Sequence, residues 1–566
     1  LGNVRVTGIL DASSRDEWTL MTDTHPGFLG TLTDISGGRF IARLHDDSDT
    51  FDAYRDIGVE SISVGQVGSY VIAKGRQEQV LCQVIRAWEE SRERNAERLL
   101  HLLPLGEVTA EGRFFRGVGR YPPLQTPVYV AEGPQLETMF DTVRRYGLHI
   151  GRLSQRAELR VYVEPNLLFS RHLAILGQSG SGKSWAVSSL LQRTVKLMPK
   201  AHIVLLDLHG EYGWRDEKGI FHSAFPVDMV RHVDARSLEI PYWLLTYSEL
   251  VDLLIDRTDP NASLQVSFMR EVLHTLRKKG NEYLGIDRLS VDSPVFFSLK
   301  DLYAHFKQAN EQQFDFGKSK GPLFGAFDEF LVRFQAMFND SRYDFLFRPR
   351  RRLKSLDLEG LLRDFIGLGE PKRQITVIDL SPVPHDVRPT VSAQIGRLAF
   401  EFNYWNPQRR EFPILLVCEE AHQYIPREAD KQHRGSRREM ERIAKEGRKY
   451  GVGLCVVSQR PTELSETVLS QISNFICLRT TNPQDQQYIR KLMPEGEQDL
   501  ADVLTTLRRG EALAVGEAIP LPTRVHLYPP DPAPESSDSP VAESWRTGPD
   551  DLNVARIVEH WWRQQR

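Results

Sequence analysis

Cysteine is scarce in this sequence of 566 residues, and its placement excludes more than its number does. Cys82, Cys418, Cys455 and Cys477 form no C-x-x-C pair, which argues against a zinc site or a disulfide framework. Three of them lie inside apolar runs that read as buried strands, where cysteine acts as a small hydrophobe. No apolar run approaches 18 residues, so no membrane partner is expected, and no signal peptide opens the chain. The cytoplasm is therefore the expected compartment. The first residue is Leu1 rather than Met, as in a trimmed N-terminus. Neither sign of charge dominates: 72 Lys and Arg stand against 76 Asp and Glu, a formal net charge of -4. That balance excludes a uniformly basic nucleic-acid binder, so any contact with DNA needs a local basic surface such as a channel lining. Internal repeats are absent, and a repeat array is not indicated. What remains is ordinary globular composition at a length that predicts three or four domains.

Residues 1–130 read as short strands broken by glycine: Val4–Leu10, Gly27–Thr33, Arg39–Leu44, Ser69–Ala73 and Gln79–Ala87, with a turn at Gly37-Gly38. Such regular short strands predict a small β-barrel. From Arg171 onward, apolar β-branched runs alternate with helical stretches, as in a parallel sheet covered on both faces. The expected strands are Leu173–Leu176, Ile203–Asp207, Ile375–Asp379, Ile414–Cys418, Val452–Val457 and Phe475–Arg479. Residues 240–350 carry helical runs instead, such as Tyr247–Ile255 and Leu264–Lys278. They predict a helical insertion that divides the α/β core into 131–239 and 351–528. Residues 529–566 begin with PPDPAPESSDSP, which reads as a linker. They end in an amphipathic helix, Leu552–Arg566, that carries Trp561-Trp562. The pair reads as a docking peg or as a fold-back onto its own domain.

The sharpest signal is Gly177-Gln178-Ser179-Gly180-Ser181-Gly182-Lys183-Ser184, a match to G-x-x-x-x-G-K-[ST]. It follows the strand Leu173–Leu176 and opens a helix predicted over Trp185–Leu197, the context that gives the motif meaning. Glycines let backbone N–H groups curl around phosphate oxygens, and the helix N-terminus adds partial positive charge. Lys183 is expected to reach the β- and γ-phosphates of ATP, and the Ser184 hydroxyl to ligate Mg2+. The predicted fold class is thus an α/β RecA-like P-loop ATPase core with a helical insertion, preceded by a small β-barrel.

A phosphate loop needs acidic strand ends. Ile414–Cys418 ends in Glu419 and Glu420; Glu419 is expected near the metal, and Glu420 to orient the attacking water. Asp207 ends a second strand, where it supports the metal or water or else serves as a helix cap or a loop salt bridge. Asp379 ends a third and is a weaker candidate. Gln459, at the tip of a buried strand, reads as a γ-phosphate sensor. The basic segment 427–449 ends in Arg448, which reads as a solvated helix end or, in a ring, as a finger reaching a neighbour's γ-phosphate. Arg171 is a second such candidate. The run Arg348-Pro-Arg350-Arg351-Arg352-Leu-Lys354 reads equally as a phosphate tracker or a solvated loop.

Taken in order, GQSGSGKS, LLDLHGEY, ITVIDLSP, LLVCEEAHQYIP, EGRKYGVGL and VVSQRP resemble the HerA branch of the HerA/FtsK ATPases, over residues 1 to about 530. Asp-x-His-Gly-Glu-Tyr with Glu-Glu-Ala-His is the specific part. The resemblance implies a HAS barrel at the N-terminus and a homo-hexameric ring that threads double-stranded DNA using ATP. It also implies a partner docked on the barrel side: a NurA-type nuclease in end processing, or an anti-phage effector such as a sirtuin-like NADase or nuclease. It implies Lys183 and Ser184 at phosphate and metal, Glu420 as catalytic carboxylate, Gln459 as sensor, Arg448 as trans-acting finger and the tail as a brace on a neighbour. Glu419 departs from the Asp that related motors carry. Two other readings stand beside this one: an ATP-regulated ring scaffold that assembles an effector complex, and a conjugation-type ATPase.

Overall fold

The computed structural model describes residues 27–45, 54–57, 60–63, 65–76, 78–92, 95–216, 218–233, 239–314, 319–430, 433–493, 497–536 and 540–563. The strand expected at Val4–Leu10 lies outside them. The chain divides into two compact units, one running up to Pro165 and taking back Thr481–Leu527, the other made of Asn166–Thr480 and Tyr528–Arg566.

In the first unit, alternation of apolar and polar residues builds a barrel. Along Arg39–Leu44, Phe40 and Ala42 are buried while Arg43 is exposed. Six antiparallel strands close on themselves in the order Arg39–Leu44, Phe28–Ser36, Pro127–Val130, Tyr70–Lys74, Gln79–Arg92 and Asn95–Val108, the last pairing back with the first. Closure removes free sheet edges. Leu32, Phe40, Val80, Val84, Leu102 and Val128 fill the interior. This unit also carries four antiparallel strands in which His149–Leu153 pairs with Arg156–Tyr162 on one side and Thr523–Leu527 on the other, with Glu511–Gly516 beyond. The expected boundaries at 130 and 528 therefore differ from the compact units. His149–Leu153 pairs with Thr523–Leu527, some 370 residues further along the chain, and both belong to the first unit.

The second unit holds seven parallel strands in the order Asn474–Leu478, Leu173–Leu176, Val452–Ser458, Ile414–Cys418, Ile203–Asp207, Ile375–Asp379 and Val230–Val233. The central strands are buried on both faces, which is why they read as unbroken apolar runs. Val230–Val233, an edge strand carrying Arg231 and His232, has no such run and was not expected. Between it and Ile375 the chain is mainly helical: Tyr247–Leu254, Ala262–Gly280, Leu299–Asn310, Asp328–Asn339 and Asp357–Phe365. Thr246 caps the first by accepting from Glu249 N at 3.2 Å, and Ser298 caps the third. Phe268, Phe306, Phe327 and Phe330 stack as its core, with ring centroids 3.9 to 4.9 Å apart. A buried ion pair, Arg397 with Glu249 at 3.2 Å, ties this insertion to the helix Arg388–Trp405. Among the described residues no helix is long and apolar enough to cross a membrane.

The proline-rich segment is not the free linker expected from its composition. Asp531 N donates to Gln192 Oε1 (2.9 Å), and Gln192 Nε2 donates to Pro532 O (2.7 Å). The Arg193 guanidinium lies 4.0 Å from the Tyr528 ring, and Pro530 and Pro534 are buried. Prolines fix an extended backbone whose carbonyls stay open to donors, so the segment forms a strap along the helix Lys183–Leu197. Beyond it, the helices Val541–Thr547 and Val554–Arg563 leave Trp545, Trp561 and Trp562 exposed by 85%, 73% and 81%.

Candidate nucleotide site

Parallel strands gather their C-terminal ends at one edge of the sheet, where ligands of α/β folds bind. The Gly177–Ser184 loop leaves Leu176 there, held from both sides: Gly177 N donates to Ser458 O (3.3 Å) and Gln178 N to Arg479 O (3.0 Å). A Cβ on Gly177 would sit 2.7 Å from Ser181 Oγ and 2.8 Å from Leu478 Cβ. Gly180 and Gly182 take φ of +73° and +102°, a region costly for other residues. Gly182 caps the helix Lys183–Leu197, in whose first turn Trp185 is exposed. Ser181 Oγ (2.7 Å) and Lys183 Nζ (3.3 Å) both donate to Gln178 O, so the loop is closed by its own cation.

The acidic groups surround this loop. Glu420 follows Ile414–Cys418 with φ +45°, strained for a residue with a Cβ. It is 8% exposed; its Oε2 accepts no hydrogen bond, and His422 Nδ1 lies 3.2 Å away. Burial raises its carboxyl above the ordinary range, against the pull of Lys183 and His209. His422 is held in turn by Ser458 Oγ at 3.2 Å, and Gln459, half-buried beyond Ser458, presents its backbone N–H to Glu420. Glu419 is buried, and burial followed by repulsion from Glu211 raises its carboxyl well above the usual value. Its Oε2 accepts from the Tyr212 hydroxyl and its backbone O from the Tyr424 hydroxyl (2.9 Å).

Asp207 corrects an expectation. Its two oxygens accept from the backbone N–H groups of His209, Gly210, Glu211 and Tyr212 at 2.8 to 3.3 Å. Three of these bonds fall on Oδ1 and one on Oδ2, so Asp207 shapes the loop that follows it. Burial pushes its carboxyl up to about 7, with the N–H groups of Tyr212, Glu211 and Gly210 opposing and Asp379 adding repulsion. The loop so held carries the groups sequence reasoning passed over. Glu211 Oε2 accepts from Ser184 Oγ at 2.5 Å, and Tyr212 holds Glu419. Glu and Tyr next to a glycine read as ordinary loop residues; only the Asp207 turn gives them direction.

Arg448 and Arg171 do not join this cluster within one chain. Arg448 is exposed near the C-terminus of the helix Arg434–Tyr450, just before Val452. Arg171 precedes Leu173, and its carbonyl accepts from Ser473 N at the start of another strand. Both lie at the N-terminal edge of the sheet. From there the strand Val452–Ser458 spans about 20 Å to the phosphate loop, at roughly 3.3 Å per residue. Asp379 spends Oδ1 on Ser381 N (2.8 Å).

The donor set fits a magnesium nucleotide. A positive-φ glycine loop offers backbone N–H groups to phosphate, and Lys183 adds a buried cation. Burial first, and repulsion from Glu211 with it, raises the carboxyls of Glu419 and Glu420, the environment a divalent cation relieves. When bound, magnesium would neutralise phosphate charge at Ser184. The residues would then divide the work: the loop and Lys183 would hold the phosphates, and Ser184 would offer its hydroxyl oxygen to the metal. Glu420 Oε2, which accepts no hydrogen bond and lies 3.2 Å from His422 Nδ1, would be placed to orient a water.

The sequence matches the family of the helicase HerA central domain over residues 148–399 and that of the helicase HerA-like C-terminal domain over 412–547. It is 30% identical to a DNA double-strand break repair helicase HerA of Pyrococcus furiosus, over 68% of this chain and 69% of that one. It is 29% identical to the protein of the same description from Sulfolobus acidocaldarius, over 77% and 79%. Among solved structures it is similar to VirB4 of Thermoanaerobacter pseudethanolicus, with 18% identity, a TM-score of 0.42 and coverage of 70% of this chain and 98% of that one.

Proposed function

Because this chain belongs to the HerA helicase family of P-loop ATPases, we propose that it is a ring-forming, ATP-driven translocase on double-stranded DNA. The observation that carries the ring is the split site. Phosphate loop and carboxylates lie at one edge of the sheet, and Arg448, exposed, at the other. A closed homo-hexamer is the arrangement that brings a neighbour's Arg448 to each phosphate loop. DNA as the track is supported by the relatives' description as DNA repair helicases. The N-terminal barrel is the proposed dock for a partner nuclease or a defence effector of the NADase or nuclease kind, which places the motor in DNA end processing or anti-phage defence.

A chain of net charge -4 cannot attract DNA over its whole surface, so binding must rest on a confined basic lining that acts through phosphates. The test is ATPase rate against duplex length at two salt concentrations. Translocation predicts a rate that rises with length at low salt and loses that dependence as salt rises. A rate indifferent to duplex length at both salts would favour the ring scaffold.

A further inference from the structure

The loop after Asp207 is gripped at both ends of one residue. The Glu211 side chain accepts from Ser184 Oγ, the hydroxyl that Mg2+ needs, at 2.5 Å. The Glu211 backbone carbonyl accepts from Glu535 N of the C-terminal strap at 2.9 Å. The strap has two further anchors, both on the phosphate-loop helix: the paired bonds with Gln192 and the stack of Tyr528 under Arg193. One residue therefore touches the metal-ligating hydroxyl and the segment leading to the exposed helices at 541–563.

We propose that Glu211 is a positioning residue for the magnesium–nucleotide site, and that through it occupancy of the site is transmitted to the strap Tyr528–Ser536. The proposal rests on the reading of Lys183 and Ser184 as the nucleotide site. Without metal, Glu211 holds the Ser184 oxygen by accepting its hydrogen. A cation at Ser184 takes that oxygen's lone pair and attracts the Glu211 carboxylate at the same time. The side chain re-aims, and the carbonyl two bonds from its Cβ shifts against Glu535 N–H. A carboxylate that holds a metal-ligating hydroxyl sets metal affinity and not only structure. Asp207 holds the backbone N–H groups of His209, Gly210, Glu211 and Tyr212, which confines the movement to the side chain and carbonyl of Glu211.

The test uses the full chain, with mant-ADP as probe in Mg2+ and in EDTA, and hydrogen exchange over residues 528–536. In the wild type, Mg2+ should tighten ADP binding, and Mg2+ with ADP should alter strap exchange beyond what ADP in EDTA does. In Glu211→Ala and Glu211→Gln, affinity in EDTA should hold, while the Mg2+ enhancement falls by about tenfold or more, as when a group that orients a metal ligand is lost. The strap response to Mg2+ should vanish with it. Glu211→Gln keeps an acceptor for Ser184 and guards against a folding defect in Glu211→Ala. A merely structural Glu211 would lower both affinities by one factor, and that result would overturn the proposal. So would a wild-type strap whose exchange ignores Mg2+. Lys183→Ala serves as the control for the underlying site. Lost ADP binding there leaves the nucleotide site standing whatever Glu211 does, and retained binding would bring both down.

Discussion

Replacing Arg448 by alanine separates a shared active site from a self-contained one, because the structure fixes how little this arginine can do within its own chain. About 20 Å of strand, at roughly 3.3 Å per residue, lie between its end of the sheet and the phosphate loop. Across that distance, at an effective dielectric of about 20, two unit charges interact by roughly 0.8 kcal/mol. Salt with a Debye length of about 8 Å cuts this to about a tenth, so the in-chain effect on turnover is negligible. At contact with a neighbour's γ-phosphate, an arginine finger is worth about 10^3 to 10^5 in kcat. Arg448→Ala should therefore keep ring assembly and ATP affinity while kcat falls by about 10^3 or more. Lys183→Ala should be dead for a different reason. In a one-to-one mixture that exchanges subunits, roughly a quarter of the interfaces of a closed ring join an intact phosphate loop to an intact Arg448. Turnover should reappear there, measured as phosphate release against mixing ratio. An Arg448→Ala ring that hydrolyses ATP within about twofold of wild type would refute the trans role.

Three further outcomes follow from the site. Glu420→Gln should bind ATP with unchanged affinity and hydrolyse it at least about 10^2 more slowly, because the group that orients water loses its charge; single-turnover phosphate release checks this. Gly177→Ala should lower ADP affinity without unfolding the unit, since its Cβ must displace Ser181 Oγ and Leu478 Cβ; mant-ADP titration beside circular dichroism reads both. Burial holds the Asp207 carboxyl at about 7, above its unfolded value. Between about pH 4 and 7 the folded chain thus keeps a proton that the unfolded chain has released. Stability from this group is fully present below pH 4 and is lost as pH rises to 7. Nucleotide-free urea midpoints should show that decline, and Asp207→Asn should flatten it; a steeper decline in the variant would contradict the assignment.

Much of the second unit was readable because its strands are buried on both faces. Leu173–Leu176, Ile203–Asp207, Ile375–Asp379 and Ile414–Cys418 appear as unbroken apolar runs, and each strand begins and ends as expected. Val230–Val233 escaped notice because an edge strand has only one partner and tolerates Arg231 and His232. Asn95–Val108 escaped because Glu97, Arg98 and Glu107 bound its apolar run and His101 and Pro104 interrupt it. The pairing of Thr523–Leu527 with His149–Leu153 leaves no local trace, so the membership of residues 481–527 could not be read. In the site, Lys183, Ser184 and Glu420 were legible because phosphate loops and acidic strand ends have fixed local grammar. Glu211 and Tyr212 were not, because their direction comes from four backbone bonds to Asp207. The proline-rich strap misled for the converse reason: its composition describes a chain free in water, and Gln192 and Glu211 supply partners that composition does not register.

The cysteines excluded from metal and disulfide chemistry at the outset have a practical meaning. All four are buried, and burial pushes Cys418 and Cys477 up to about 12 and Cys82 and Cys455 upward as well. Only a thiolate reacts with maleimides and iodoacetamides at useful rates, so the native chain is close to inert to them near neutral pH. It is a ready-made background for site-directed labelling. A single Arg448→Cys substitution would carry one reactive sulfur per subunit, and a donor and acceptor dye placed there would report the spacing of neighbouring subunits without any native cysteine being removed.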